Sequence, residues 1–392
     1  MTFSQRLSPA FFADVQDKVR ARAAEDDLDA VFTDDPEDVA YLTGFFHHPC
    51  ERPVAVWLEA TGRCVLLLPE LEREHAEAQN AAAELVSYPE YPGVLPPFAA
   101  LANFVGTANR RVGHTTSISY QRLAAARAEL STMEFVPTDL VTVCRYVKTP
   151  EEVALHAEAA RITDLMLTAG VELVTGAVAA GRELPSEAEL ASYVGKVGTG
   201  TMYAEHTDVV VVSMLAGGLV YAGANSAYPH GLPSGYRLTP GDTFMLSLGC
   251  AVGGRFVEGE RTFVLGEPTE EQRRFHQAVW EAQQVGGEAI RPGVECRAAN
   301  ATCLAVLRDA GLGGYLRHRQ GHGIGLGMHE PPWLEDGDDT VLEPGMIVSN
   351  EPGIYVPGHA GYRISDSMLV TEEGAEPLTA FPRGLEDCVI PV

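Results

Sequence analysis

RQGHGIGLGMHEPPW, Arg319 to Trp333, sets two histidines, His322 and His329, among glycines and beside a proline pair. Glycines let the backbone approach a site closely, and neutral imidazoles are common metal ligands. The reading of the chain turns on whether other segments supply the remaining ligands. Three further pieces carry polar residues inside apolar strands or turns: NSAYPHGLP with His230, LSLGCAVGGRFVEGERTFVLG with Glu258 and Glu260, and SNEPGIYV with Glu351. An ionised carboxylate buried alone costs several kcal/mol. A fold that gathers three of these acids must therefore hold a proton, a metal ion or a cationic ligand between them.

Around this stretch the chain reads as two domains. Its 392 residues suffice for two cores, with 46% apolar and 21% charged residues. Residues 1–145 alternate helix and strand patterns: AFFADVQDKVRARAAEDDL has helical spacing, while DAVFTD, PVAVWLEA and GRCVLLLP read as strands. That predicts a smaller α/β domain. Thr149-Pro150-Glu151-Glu152 is a helix start, with a Thr cap, Pro at the first position and acids in the first turn. The second domain, 150–392, is predicted as α+β, a curved antiparallel sheet covered by helices. Its helices fall near 151–177, 186–198, 270–290 and 296–310, and its strands include HTDVVVVSML, DTFMLSLGCAVGG and RFVEGERTFVLG.

The formal charge of −26 excludes a nucleic-acid partner on electrostatic grounds, because phosphate neutralisation needs a basic face. No apolar run suggests a membrane partner. Seven cysteines run from Cys50 to Cys388 without a CxxC pair, which predicts buried free thiols. The segment MTFSQRLSPAFFADVQDKVRARAA lacks the apolar core of a secretory signal, so the cytoplasm is the expected compartment.

GHGIGLGMHEPP, LEPGMIVSNEPGIY, YRISDSMLVTEEGAE, ERTFVLGEP, YLTGFF and the junction RYVKTPEE together resemble the creatinase/prolidase/methionine-aminopeptidase family of hydrolases. The resemblance implies the pita-bread fold behind a creatinase/prolidase-type N-terminal domain. It also implies hydrolysis of a C–N bond in a small amino-acid-like substrate or dipeptide, and a homodimer. Metal-dependent members hold two ions with two Asp, one His and two Glu. Carried over one at a time, these positions fall on Ser247, Glu258, His322, Glu351 and Ser365. Two serines thus stand where carboxylates are expected, and a dinuclear site is not expected, since hard cations need several anionic oxygens.

The serine in LSLG and Glu260 before Arg-Thr resemble the metal-free creatinase branch, to which ectoine hydrolase is also similar. This likeness implies a metal-independent hydrolase acting on an amidine, guanidine or amide, with no cofactor. His230, Glu260, His322 and Glu351 would then be catalytic, and Arg52, Glu258 and His329 would bind substrate, with Arg52 on its carboxylate. Two alternatives stay open: an Xaa-Pro dipeptidase or aminopeptidase with a single Mn²⁺ or Zn²⁺ on Glu258, His322 and Glu351, and a catalytically inactive binding module.

Overall fold

The computed structural model describes residues 3–392. They form two compact units, residues 6–145 with 211–213, and the remainder of the chain.

The N-terminal unit is a six-stranded mixed sheet in the order Glu84–Tyr88, Cys64–Pro69, Ala55–Glu59, Ala30–Thr33, Arg111–Thr115, Glu134–Thr138. Helix Pro9–Glu25 begins where the Ser8 side chain accepts from the Phe11 amide. Helix Pro36–Thr43 begins at Asp35, which accepts from the Glu37 and Asp38 amides, and stops at left-handed Gly44. Phe32, Trp57, Leu67, Leu101 and Val112 fill the core, each large side chain contributing about 1.5–3 kcal/mol by burial.

The C-terminal unit is a curled antiparallel half-barrel. Its main path runs Glu330–Leu334, Gly321–Gly323, Ile347–Asn350, Ser365–Val370, Arg255–Leu265, Thr243–Val252, Ala216–Ala222, every step antiparallel. Helices Pro150–Ala179 and Glu187–Glu205 cover one stretch of it. Helix Cys296–Asp309 packs on Glu270–Ala289, and the pair shares a core of Phe275, Val279, Leu304, Ile354 and Tyr362. The Thr149 cap is closed reciprocally by Glu152. Helix Pro150–Ala179 is long and apolar enough to cross a membrane by length and composition. It nonetheless buries Met166, Leu167 and Val174 in this unit, and Asp164 accepts from the Ala380 and Phe381 amides. It is a core helix.

One expectation fails. HTDVVVVSML is not a long strand: only His206–Thr207 pairs, with Phe3–Ser4, before the chain turns at Asp208 with φ 59°. The Val210 amide goes to the Gln5 side chain instead of a ladder partner. The sheet strand begins at Ala216, beyond the valine run.

Candidate metal and active site

Six neighbouring strands bring most of the expected residues together. Glu258 and Glu260 lie two apart on Arg255–Leu265 and so share a face. Ser247 and Ser365 are the cross-strand partners of Glu260 on either side. His322 is central in Gly321–Gly323, Glu351 follows Ile347–Asn350, and His329 precedes Glu330–Leu334. Gly321 permits this closeness, since a Cβ there would stand 2.0 Å from the Ser349 carbonyl oxygen. The Ser349 hydroxyl in turn accepts from the His322 amide at 3.0 Å. A cavity of about 700 Å³ collects Glu258, Glu260, His322, Glu351, His329 and His230.

The orientation of His322 is fixed by its backbone. Its Nδ1 lies 2.9 Å from the Gly323 carbonyl oxygen, so Nδ1 carries hydrogen and donates. That leaves Nε2 pointing at Oε1 of Glu351, 3.3 Å away, and Oε2 of Glu258, 3.6 Å away. Nε2 is buried and forms no hydrogen bond of good geometry. These separations are long for an imidazolium–carboxylate hydrogen bond, which closes to about 2.7–2.9 Å. They match ligands sharing one ion, because donors about 2.0–2.1 Å from a tetrahedral zinc are about 3.3 Å apart. Ligand atoms of Glu258, His322 and His329 also lie within 4.8 Å of one another, and the two imidazoles meet edge to face at 4.1 Å.

The electrostatics agree. Burial, reinforced by the Glu351 charge, pushes Glu258 up to about 8. Burial opposes ionisation of Glu351, but the facing His322 imidazole and its charge outweigh it and bring it down. Burial works against charge on His322 too, and Glu258 and Glu351 overcome it, raising it to about 9. His329, desolvated and facing the His322 charge, falls to about 4. The cluster therefore demands positive charge at His322 Nε2, which a proton or a metal ion supplies.

Room for a second ion is missing. Ser365 donates its hydroxyl to Oε1 of Glu258 at 2.7 Å, where the family resemblance expects a further carboxylate. On the other side the buried Arg363 guanidinium pairs with both oxygens of Glu260. It also donates to the Ser247 hydroxyl at 3.0 Å and to Tyr355 Oη at 2.9 Å. Tyr355 Oη lies 2.8 Å from Nε2 of His318, whose Nδ1 donates to the Arg319 carbonyl. A fixed cation and two neutral hydroxyls thus stand where a second ion would need anions. The residues fit one ion and not two.

Arg363, Tyr355 and His318 were not singled out by sequence reasoning, and the side chains that meet are far apart along the chain. The strand alternation Glu258–Glu260 and the serine opposite it were the only signal that a buried cation was needed there. Glu260, expected to be catalytic, grips Arg363. Arg52 is not in this cavity. It belongs to the N-terminal unit, where it pairs with Glu90 at 2.7 Å and Glu51 at 2.9 Å and lines a separate hollow of about 820 Å³.

The sequence pattern of metallopeptidase family M24 matches residues 154–372, and that of the creatinase/prolidase N-terminal domain matches residues 16–147. The chain belongs to metallopeptidase family M24. Its M24 relatives include the Xaa-Pro dipeptidase of Pyrococcus furiosus, 30% identical over 362 residues covering 92% of this chain and 96% of that protein. The probable dipeptidase PepE of Mycobacterium tuberculosis is 34% identical over 359 residues, covering 91% and 90%. Among M24 structures, dipeptidase PepE from Mycobacterium ulcerans superposes with a TM-score of 0.85 at 28% identity, over 99% of this chain and 100% of that one. The prolidase from Pyrococcus horikoshii OT3 gives 0.82 at 25%, over 95% and 99%. The protein is a C–N bond hydrolase of this M24 family.

The expectation of a cofactor-free site is thereby overturned. Its relatives are Xaa-Pro dipeptidases in a metallopeptidase family, and Glu258, His322 and His329 form a group able to hold an ion. The two serines misled the reading. They replace two carboxylates but leave Glu258, His322 and His329 as a group able to hold an ion.

Proposed function

We propose that this M24 protein is a dipeptidase of the Xaa-Pro type, holding one divalent ion on Glu258, His322 and Glu351 with His329 beside them. The observation that carries this is the buried Nε2 of His322, 3.3 and 3.6 Å from two carboxylates without a well-formed hydrogen bond to either. Full-length similarity to Xaa-Pro dipeptidases supports the substrate class. When bound, the ion supplies a Lewis acid for the scissile carbonyl and an acidified water. Glu258 and Glu351 hold the charge balance, and the Gly323 carbonyl keeps Nε2 of His322 free for ligation. His230, exposed on the cavity wall, would return a proton to the leaving nitrogen. Glu260, pinned by Arg363, positions the Ser247 side of the sheet.

Purified protein stripped with EDTA and reloaded with Mn²⁺ or Zn²⁺ should hydrolyse Ala-Pro, with one ion per chain by elemental analysis. Dipeptide turnover that survives complete removal of metal, or metal binding without any dipeptide turnover, would reject the reading.

A further inference from the structure

His230 reaches the catalytic cavity without an anchor of its own. Its imidazole is exposed and makes no hydrogen bond among the described residues. It lines the cavity, and its charge adds to the lowering of the His329 pKa. The ring's place is therefore set by the backbone of its loop, residues 223–236. At the tip Tyr228 and Leu232 are 66% and 79% exposed, so packing does not fix it there. The one bond to the tip from outside the loop is that of Tyr221 Oη to the Pro229 carbonyl, at 2.8 Å.

The loop leaves strand Ala216–Ala222 and returns along the start of helix Glu187–Glu205. On the return, the Glu187 amide donates to the Tyr236 carbonyl and the Ala188 amide to the Ser234 carbonyl, both at 3.0 Å. On the way out, buried Ser226 donates to the Gly223 carbonyl at 2.6 Å and accepts from the Gly361 amide at 2.8 Å. One side chain joins the two ends. Oε1 of Glu187 accepts from the Ala222 amide at 2.7 Å and from Asn225 Nδ2 at 3.0 Å. Oε2 accepts from Asn225 Nδ2 at 2.8 Å, the Ser234 amide at 2.8 Å and the Ser234 hydroxyl at 2.6 Å. An acid in the first turn of a helix ordinarily answers the helix dipole from the surface. Glu187 is instead fully buried, and these uncharged donors surround it. A buried carboxylate is costly unless donors satisfy it, and here they come from the two ends of the loop that carries His230.

We infer that Glu187 is a positioning residue for the reaction: its carboxylate ties Ala222 and Asn225 to Ser234 and so holds His230 over the cavity. Its effect on turnover rests on the proton-donor role given to His230 above; its hold on the loop does not.

Glu187→Gln keeps the side chain's size but offers one acceptor oxygen in place of two, so it can satisfy only one end of the loop. With Mn²⁺ bound, it should lower kcat for Ala-Pro about 10- to 100-fold, the cost of misplacing a general acid by about an ångström. KM and bound ion per chain should stay at their wild-type values. In a His230→Ala background the same change should cost less than about twofold, because both act through one group. Hydrogen exchange should quicken across 227–234 and stay unchanged in Thr243–Val252 and Arg255–Leu265, which also reports that the variant is folded. Unchanged kcat, an equal loss in both backgrounds, unaltered exchange in the loop, or exchange raised throughout the sheet would each overturn the inference. Wild-type turnover by His230→Ala would reject the proton-donor role, and a protein inactive on every dipeptide would reject the dipeptidase reading. In either case the exchange pattern decides the hold on the loop by itself.

Discussion

His322 gives the sharpest handle on single-residue behaviour. Its raised pKa of about 9, against an ordinary 6.5, means that its contribution to stability is complete below 6.5 and fades as pH rises through 9. Glu258, raised to about 8, acts in the same direction, because a buried carboxyl that folds neutral loses stability once it must ionise. Glu351 is opposite in sign. Its depressed pKa contributes above the ordinary carboxyl range and is lost only in strong acid. EDTA-treated protein should therefore melt at progressively lower temperature between about pH 5 and 9, as measured by calorimetry. Ligation replaces the protons on His322 and Glu258, so Mn²⁺ affinity should climb over the same range, with proton release seen by titration in buffers of different ionisation enthalpy. Flat affinity across that window would contradict the assigned ligands. Arg363→Met leaves Glu260 buried without its partner and should cost about 3–5 kcal/mol in urea unfolding.

At the scale of strands, Glu260 sits opposite both Ser247 and Ser365. Carboxylates at all three would crowd like charges on one sheet face, so the acid at 260 and the serines at its sides form one unit. Replacing the unit together with its cation, as Ser247→Asp, Glu260→Ser and Ser365→Glu with Arg363→Met, should raise bound Mn²⁺ from one towards two per chain. Elemental analysis of the dialysed variant decides it. Gly321→Ala pushes a methyl into the Ser349 carbonyl and should destabilise the sheet by about 1–3 kcal/mol and weaken metal retention. Much of this was legible. The Thr149 capping box and the alternation of Glu258 and Glu260 are local signals that short windows carry. The HTDVVVVSML segment misled because β-branched content says nothing about Asp208 turning left-handed or about Gln5 taking an amide. Arg363 was invisible for a different reason. Its partners Glu260 and Ser247 lie 103 and 116 residues away along the chain, and only the closed sheet makes them neighbours. The metal expectation failed because ligands were read one position at a time, whereas ions are held by sets.

For the molecule as a whole, the charge of −26 sets a long-range field that draws cations towards the acid-lined cavity. Association of Mn²⁺ should accordingly slow several-fold as KCl rises from about 20 to 500 mM, where the screening length shrinks towards a few Å. Stopped-flow measurements at fixed pH would show it. All seven cysteines are free, six of them buried.

Lys148 reaches the buried carboxylate of Glu330 at 3.1 Å, and that same carboxylate accepts from the Gly327 amide at 3.0 Å. Lys148, two residues before the long helix, and the turn carrying His329 are thus fastened to one another across 182 positions. An inherited change at Lys148, outside the catalytic cavity, would slacken the turn that carries His329. Inactivating variants of this enzyme are therefore to be sought at the junction as well as at the ligands.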